Sequence, residues 1–269
     1  MKIERIVVFG CSYSNGEEIL YSELGPELSE LHRLTAHDPR IFFKAVELDK
    51  KNVEKLAEVR QQQYSVAWPQ KLADKLGVEC LNLSESGNSM QKMLWQFLDY
   101  QHKQLIRPTD LVLFAATKAE RSVYFREHPM SFQVTSSLAE GIGHVIGVSP
   151  TGGPSAVMNK DLDQAILTWF NDDRLIWDYL TVLQSLALWK QQTNLFVIPA
   201  MTLNEYDVQD YNVGLFADLM QGFKESDLYL TNKGLDNFKR LDSEYLPWGH
   251  PGEIVHDRYA EHLYEILNG

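Results

Sequence analysis

Ser12 and Ser14 are the first residues of this chain whose type and position suit chemistry. They follow the apolar run Ile6-Val7-Val8-Phe9 in the turn Gly10-Cys11-Ser12-Tyr13-Ser14-Asn15-Gly16. A short run of β-branched and aromatic residues ending on glycine reads as a buried strand, and the Gly/Ser/Asn cluster as the turn that leaves it. Open α/β sheets bind ligands beyond the carboxyl ends of their strands, where the next helix also offers unpaired N–H groups. A serine there can act as a nucleophile if a base takes its proton, or it can simply cap the following helix. Cys11 is a second nucleophile candidate, but neighbours at a strand end point to opposite faces, so beside Ser12 it reads as a buried, inert thiol. Gly10 and Gly16 bracket the turn without a following Lys-Ser/Thr or a Gly-x-Gly-x-x-Gly, which excludes the phosphate-loop and dinucleotide readings.

The base is sought among eight histidines. His250, in Trp248-Gly249-His250-Pro251-Gly252-Glu253 ahead of a final amphipathic stretch Ile254–Leu267, is the candidate, although a residue at a helix entry can also be merely structural. Neither His32 with His37 nor His250 with His256 has the i, i+4 spacing that puts two imidazoles on one helical face, and there is no Cys-x-x-Cys. No metal and no cofactor is expected.

The elements that must carry these residues alternate. After the first strand comes a charged, aromatic-containing region from Glu17 to Gln63, read as an insertion beside the site, with helical spacing of Val53, Leu56 and Val59. Ser65–Gly77 reads as a helix with Pro69 in its first turn and Gly77 as its stop, and Val78–Leu83 as a second strand. Met90–Ile106 is an amphipathic helix closed by Pro108, and the wholly apolar Leu111–Ala116 a central strand. From Thr117 to Asp161 the pattern dissolves into Gly, Ser and Pro, which suggests an irregular lid or binding excursion. Leu162–Gln192 reads as a helix whose Trp169, Phe170, Trp177, Leu180, Leu183 and Leu188 face the core, and Leu195–Pro199 as a fourth strand. A loop with Tyr206 and Asp210 follows.

A chain of 269 residues, 44% hydrophobic and 23% charged, fits one large domain, 1–269, with insertions around 17–63 and 117–161. Its net charge of −12 argues against nucleic acid or an anionic membrane as partner, since both need clustered Lys and Arg. Two cysteines, Cys11 and Cys80, are too few for a disulfide framework, and the start Met1-Lys2-Ile3-Glu4 enters a strand with no apolar leader. The expected location is cytoplasmic.

Three blocks then combine. Gly10-Cys11-Ser12-Tyr13-Ser14 near the start, Asn82 with Ser86-Gly87-Asn88 after the second strand, and His250-Pro251 before the last helix together resemble the SGNH/GDSL hydrolase superfamily, chiefly phage-encoded or bacterial members of uncharacterised function. The resemblance implies a three-layer α/β/α sandwich with a mainly parallel, flavodoxin-like sheet and a site at the strands' carboxyl ends. It further implies Ser12 as the nucleophile, His250 as the base, and the N–H groups of Ser12 and Gly87 as an oxyanion hole. Three positions depart from the family pattern. Cys11 replaces the aspartate before the serine, no asparagine follows the third strand, and Pro247 occupies the place of the triad acid. Thr117 or the Asn88 side chain is the substitute oxyanion donor, and Asp242 or Glu244 the substitute acid, unless a backbone carbonyl orients the imidazole. The expected activity is hydrolysis of a small-molecule or carbohydrate ester, such as an O-acetyl or short acyl group. The rivals are acyl transfer through the same site, or an eroded binding or structural module, for example a virion component.

Overall fold

The computed structural model describes residues 2–16, 19, 54, 58, 61–85, 88–117, 121–125, 129–137, 142–148, 154–155, 172–200, 214–241, 244 and 250–269, some of them as backbone only. The insertion expected at 17–63 lies almost entirely outside these residues, as do Trp169, Phe170 and the loop with Tyr206 and Asp210.

Four parallel strands form the central sheet: β1 (Arg5–Phe9), β2 (Glu79–Asn82), β3 (Asp110–Ala116) and β8 (Leu195–Pro199), in the order β2-β1-β3-β8. Their registers bring Val7 beside Leu81 and Val112, and Val112 beside Leu195. Every residue of β3 is buried, as expected of an interior parallel strand covered on both faces. The covering helices are α1 (Ser12–Asn15), α2 (Trp68–Leu76), α3 (Met90–His102), α4 (Asp172–Lys190), α5 (Gly214–Glu225) and α6 (Glu253–Asn268). Helices α2 and α6 pack on each other: Trp68 meets Tyr259 edge to face, and Lys71 pairs with both Glu253 and Asp257. Across the sheet, Phe97 of α3 reaches Phe9, Phe114 and, on α4, Trp189. The architecture is a three-layer α/β/α sandwich.

Local chemistry accounts for the boundaries. Gly77 stops α2 in the left-handed conformation at φ 66°, its N–H returned to the Ala73 and Asp74 carbonyls. The helix expected over 65–77 is broken, however: residues 61–66 are helical, and α2 starts afresh after Ala67, because the extended backbone there (φ −77°, ψ 155°) admits Pro69 into a new first turn. Helix α3 ends at His102, before the expected stop at Pro108, with Gln104 in the left-handed region at φ 56°. On α4, Leu180, Leu183 and Leu186 are buried as the spacing requires, but Trp177 and Leu188 lie on the outer surface.

The largest difference lies after β3. The excursion expected to be irregular contains an antiparallel sheet, β4 (Arg121–Phe125), β5 (Pro129–Ser137), β6 (Ile142–Val148) and β7 (Pro154–Ser155), paired in chain order. Glycines depress strand propensity without preventing pairing when neighbours supply the ladder; Gly143 and Gly147 of β6 sit opposite Ser136 and Phe132.

Phe114 lies between Phe9 (centroids 5.0 Å apart, stacked) and Phe97 (5.5 Å, edge to face) and is fully buried. Phe114→Ala is expected to lower stability by about 3–5 kcal/mol, read from the urea midpoint at unchanged slope.

Candidate functional site

The strand order fixes where a site can form. β1 is followed by a crossover to β2 on one side, and β2 by a return over β1 to β3 on the other, so the direction in which strands are added reverses between β1 and β3, and the carboxyl ends of these two strands are where such a sheet binds ligands. Ser12 starts the single-turn α1 just beyond β1, Asn88 lies in the loop after β2, and Thr117 follows the last residue of β3. Gly87 and Asp242 lie outside the described residues.

The turn at Gly10 is held by contacts that need glycine. A Cβ there would come within 2.5 Å of Ser14 Oγ and 2.7 Å of Ser84 Oγ. The parallel ladder runs on past β2, with Leu83 N–H donating to Val8 at 2.8 Å and Glu85 N–H to Gly10 at 3.1 Å. Asn88 Nδ2 donates to the same Gly10 carbonyl at 3.2 Å, which fills both its lone pairs. The turn then closes on itself as Ser14 and Asn15 N–H donate to Cys11 O. Asn82 Nδ2 donates to Ser14 O at 2.9 Å, and Gln63 Nε2 to Asn15 Oδ1 at 2.8 Å.

Asn88 is 1% exposed, and all three of its N–H groups are spent inside the protein: Nδ2 on Gly10 O and on Gln96 Oε1 (3.1 Å), the backbone N–H on Glu85 O. Its amide holds the turn and has no N–H left to offer an oxyanion. Thr117 is buried at the end of β3 and makes a hydrogen bond or contact of its own.

His250 is brought to the same place from the far end of the chain. Its ring lies against Tyr13, the neighbour of Ser12 in α1, at 5.2 Å between centroids and 48° between planes. Behind it Gly252 N–H donates to the Glu244 carbonyl at 2.8 Å and begins α6 as its N-cap. The Glu244 carboxylate points elsewhere. Arg258 grips it with two nitrogens at 2.8 and 3.0 Å and Arg240 N–H adds a third donor at 2.7 Å, which together hold it at about 2, well below the usual carboxylate range. As placed, Glu244 shapes the turn before His250 through its backbone and does not face the imidazole with a free oxygen.

His256 has no precedent in the sequence reading, where its only mention is in dismissing a metal pair. Its Nδ1 accepts Trp68 N–H at 3.0 Å and the residue is 1% exposed. Burial first, then the charges of Lys71 and His250, push its pKa down to about 3. What would have signalled it is a polar residue in the first turn of α6 on the same face as Tyr259 and Leu263.

Cys11 is buried and free, as is the half-buried Cys80, whose thiol burial pushes up to about 12. Among the described residues no group of His, Cys, Asp and Glu could hold a metal ion, and no helix is long and apolar enough to cross a membrane.

No protein-family profile and no curated protein matches the chain. Among solved structures, the fold is similar to that of a carbohydrate esterase whose active site is described as displaying divergent catalytic and non-catalytic binding functions. The match has a TM-score of 0.51 and 14% identity, and spans all of this chain and 69% of that one.

Two outcomes are expected. Gly10→Ala forces Ser14 or Ser84 to move and costs on the order of 1–3 kcal/mol in chemical denaturation. Because the folded pKa of His256 is depressed from 6.5 to about 3, the unfolded chain binds its proton first. The histidine's contribution to stability is therefore complete above about pH 6.5 and lost as pH falls towards 3, and His256→Asn should flatten that part of the denaturation-versus-pH curve.

Proposed function

We propose that the chain is a metal-independent serine hydrolase of the SGNH type that cleaves an ester, with an O-acetyl or short acyl group on a carbohydrate as the substrate class. The observation that carries this reading is the His250 ring packed on Tyr13, next to Ser12 in one helical turn at the carboxyl end of β1. Ser12 Oγ attacks the acyl carbonyl carbon while His250 takes its proton. The tetrahedral intermediate expels the alcohol, which leaves with that proton, and a water activated by the same imidazole releases the acid and restores Ser12. The Ser12 and Gly87 N–H groups, with Thr117 as third donor, receive the oxyanion, where each pre-aimed donor is worth a few kcal/mol of barrier. Asn88 serves by holding the Gly10 turn. Asp242 or a backbone carbonyl orients the second ring nitrogen, and without an acid the rate falls by orders of magnitude yet persists.

A second reading, a sugar-binding module on the same fold with an eroded site, draws on the engagement of the Glu244 carboxylate by Arg258. It also draws on the non-catalytic binding named for the similar carbohydrate esterase.

A fluorophosphonate probe with peptide mapping separates the two. Labelling at Ser12, abolished in Ser12→Ala and slowed by about 100-fold or more in His250→Ala, is expected for an activated serine. Intact folded protein that stays unlabelled while p-nitrophenyl acetate is untouched would overturn the hydrolase reading.

A further inference from the structure

A lysine in the first turn of a helix stands against the positive end of the helix dipole, and burying it adds the cost of stripping an ammonium of water. Lys92 incurs both: it lies in the first turn of α3, just after the N-cap Ser89, and is buried. Glu85 holds it there. One carboxylate oxygen takes Lys92 Nζ, and the other takes Gln96 Nε2 from one helical turn further on. Glu85 spends its backbone at the same place. Its N–H donates to Gly10 O at 3.1 Å, and its carbonyl accepts Asn88 N–H at 3.1 Å, which closes the span that carries Ser86 and Gly87. Asn88 Nδ2 then returns to the same Gly10 O at 3.2 Å and to Gln96 Oε1 at 3.1 Å.

We propose that Glu85 is the positioning residue of the oxyanion hole, and that its ion pair with Lys92 fixes the spacing of the two backbone donors. This rests on the reading of the Ser12 and Gly87 N–H groups as those donors. Each stands two residues from one end of the Glu85–Gly10 hydrogen bond, Ser12 after Gly10 and Gly87 after Glu85. Two residues of chain reach no further than about 7 Å. Both ends of the 85–88 span are pinned to one carbonyl, so displacing either end breaks a bond to Gly10 O. Charge leaves this network one arrangement. A carboxylate can only accept, so Gln96 must turn Nε2 to Glu85 and Oε1 to Asn88, and Asn88 must then turn Nδ2 to Gly10. A glutamine at position 85 donates as well as accepts, which allows both amides to turn over and sets Asn88 Oδ1 against the Gly10 carbonyl. Ser12 and Gly87 would touch the substrate; Glu85 acts through them.

The test compares the full-length wild type with Glu85→Gln, with Lys92→Arg, and with the double variant Glu85→Gln/Lys92→Met, in which no buried charge is left without a partner. Amide hydrogen exchange at residues 85 and 88 reads the hold on the span, and steady-state hydrolysis of p-nitrophenyl acetate reads the hole. In Glu85→Gln and the double variant, exchange at both amides is expected to quicken at least about tenfold relative to the rest of α3. With it kcat should fall about 10- to 100-fold while KM stays within about twofold, because an oxyanion donor works in the transition state and not in the ground state. Lys92→Arg keeps the charge and should retain both. Exchange unchanged in the double variant would overturn the proposal whatever the activity, as would quickened exchange with kcat unchanged or a loss carried by KM alone. A wild type that neither hydrolyses the ester nor labels at Ser12 would overturn the hydrolase reading and the catalytic role of the span with it. Quickened exchange in the variants would in that case leave Glu85 the anchor of residues 85–88 alone.

Discussion

The carboxyl end of the sheet depends on the Gly10 peptide. Its Cα has no room for a side chain, because Ser14 and Ser84 close on it from two directions, and its carbonyl is filled by Glu85 N–H and Asn88 Nδ2. The orientation of Asn88 is in turn set by charge. Lys92, only 4% exposed, pairs with Glu85, whose other oxygen takes Gln96 Nε2, so Gln96 can present only its oxygen to Asn88 Nδ2. A flipped Asn88 would set oxygen against oxygen at both Gly10 and Gln96, which is why the network has one low-energy arrangement. An ion pair at the foot of α3 thus determines where the chain leaves β1, two residues before Ser12.

Each end of the sheet carries an ion pair with its own task. At the amino end, Arg5 and Asp110 lie opposite each other in register, joined through two nitrogens, and Asp110 also accepts Arg107 N–H at 2.8 Å. That carboxylate is fully buried and saturated, so it fixes strand register and has nothing to offer a ligand. At the carboxyl end the Lys92–Glu85 pair instead holds the Gly10 turn through Gln96 and Asn88, on the side of the sheet where this topology binds ligands.

Much of this was legible in the chain because parallel strands buried on both faces must be apolar throughout: 6–9, 111–116 and 195–199 were marked almost to the residue. The places of Ser12, Asn88 and Thr117 beyond strand ends were legible for the same reason, since each follows a strand that could be read, whereas the engagement of every Asn88 N–H inside the protein was not. The break at Ala67 was not, because Trp68 N–H finds its acceptor 188 residues away. The strands of β4–β7 were hidden by glycines whose pairing partners, not propensities, decide their conformation. Trp177 and Leu188, 55% and 56% exposed, show an apolar stripe on α4 wider than the face its neighbours cover.

The imidazole of His250 raises the question of what a triad acid supplies. It does two separable things: it holds the ring in one orientation and tautomer, and it stabilises the imidazolium that forms when the base takes a proton. In the proposed site the first task falls in part to the Tyr13 ring and to the turn that the Gly252–Glu244 backbone bond fixes. The second cannot come from Glu244, whose charge is committed to Arg258, nor from Lys71 or His256, which bring no negative charge. In the proposed site the two tasks that one carboxylate combines in a triad are therefore divided between different parts of the chain.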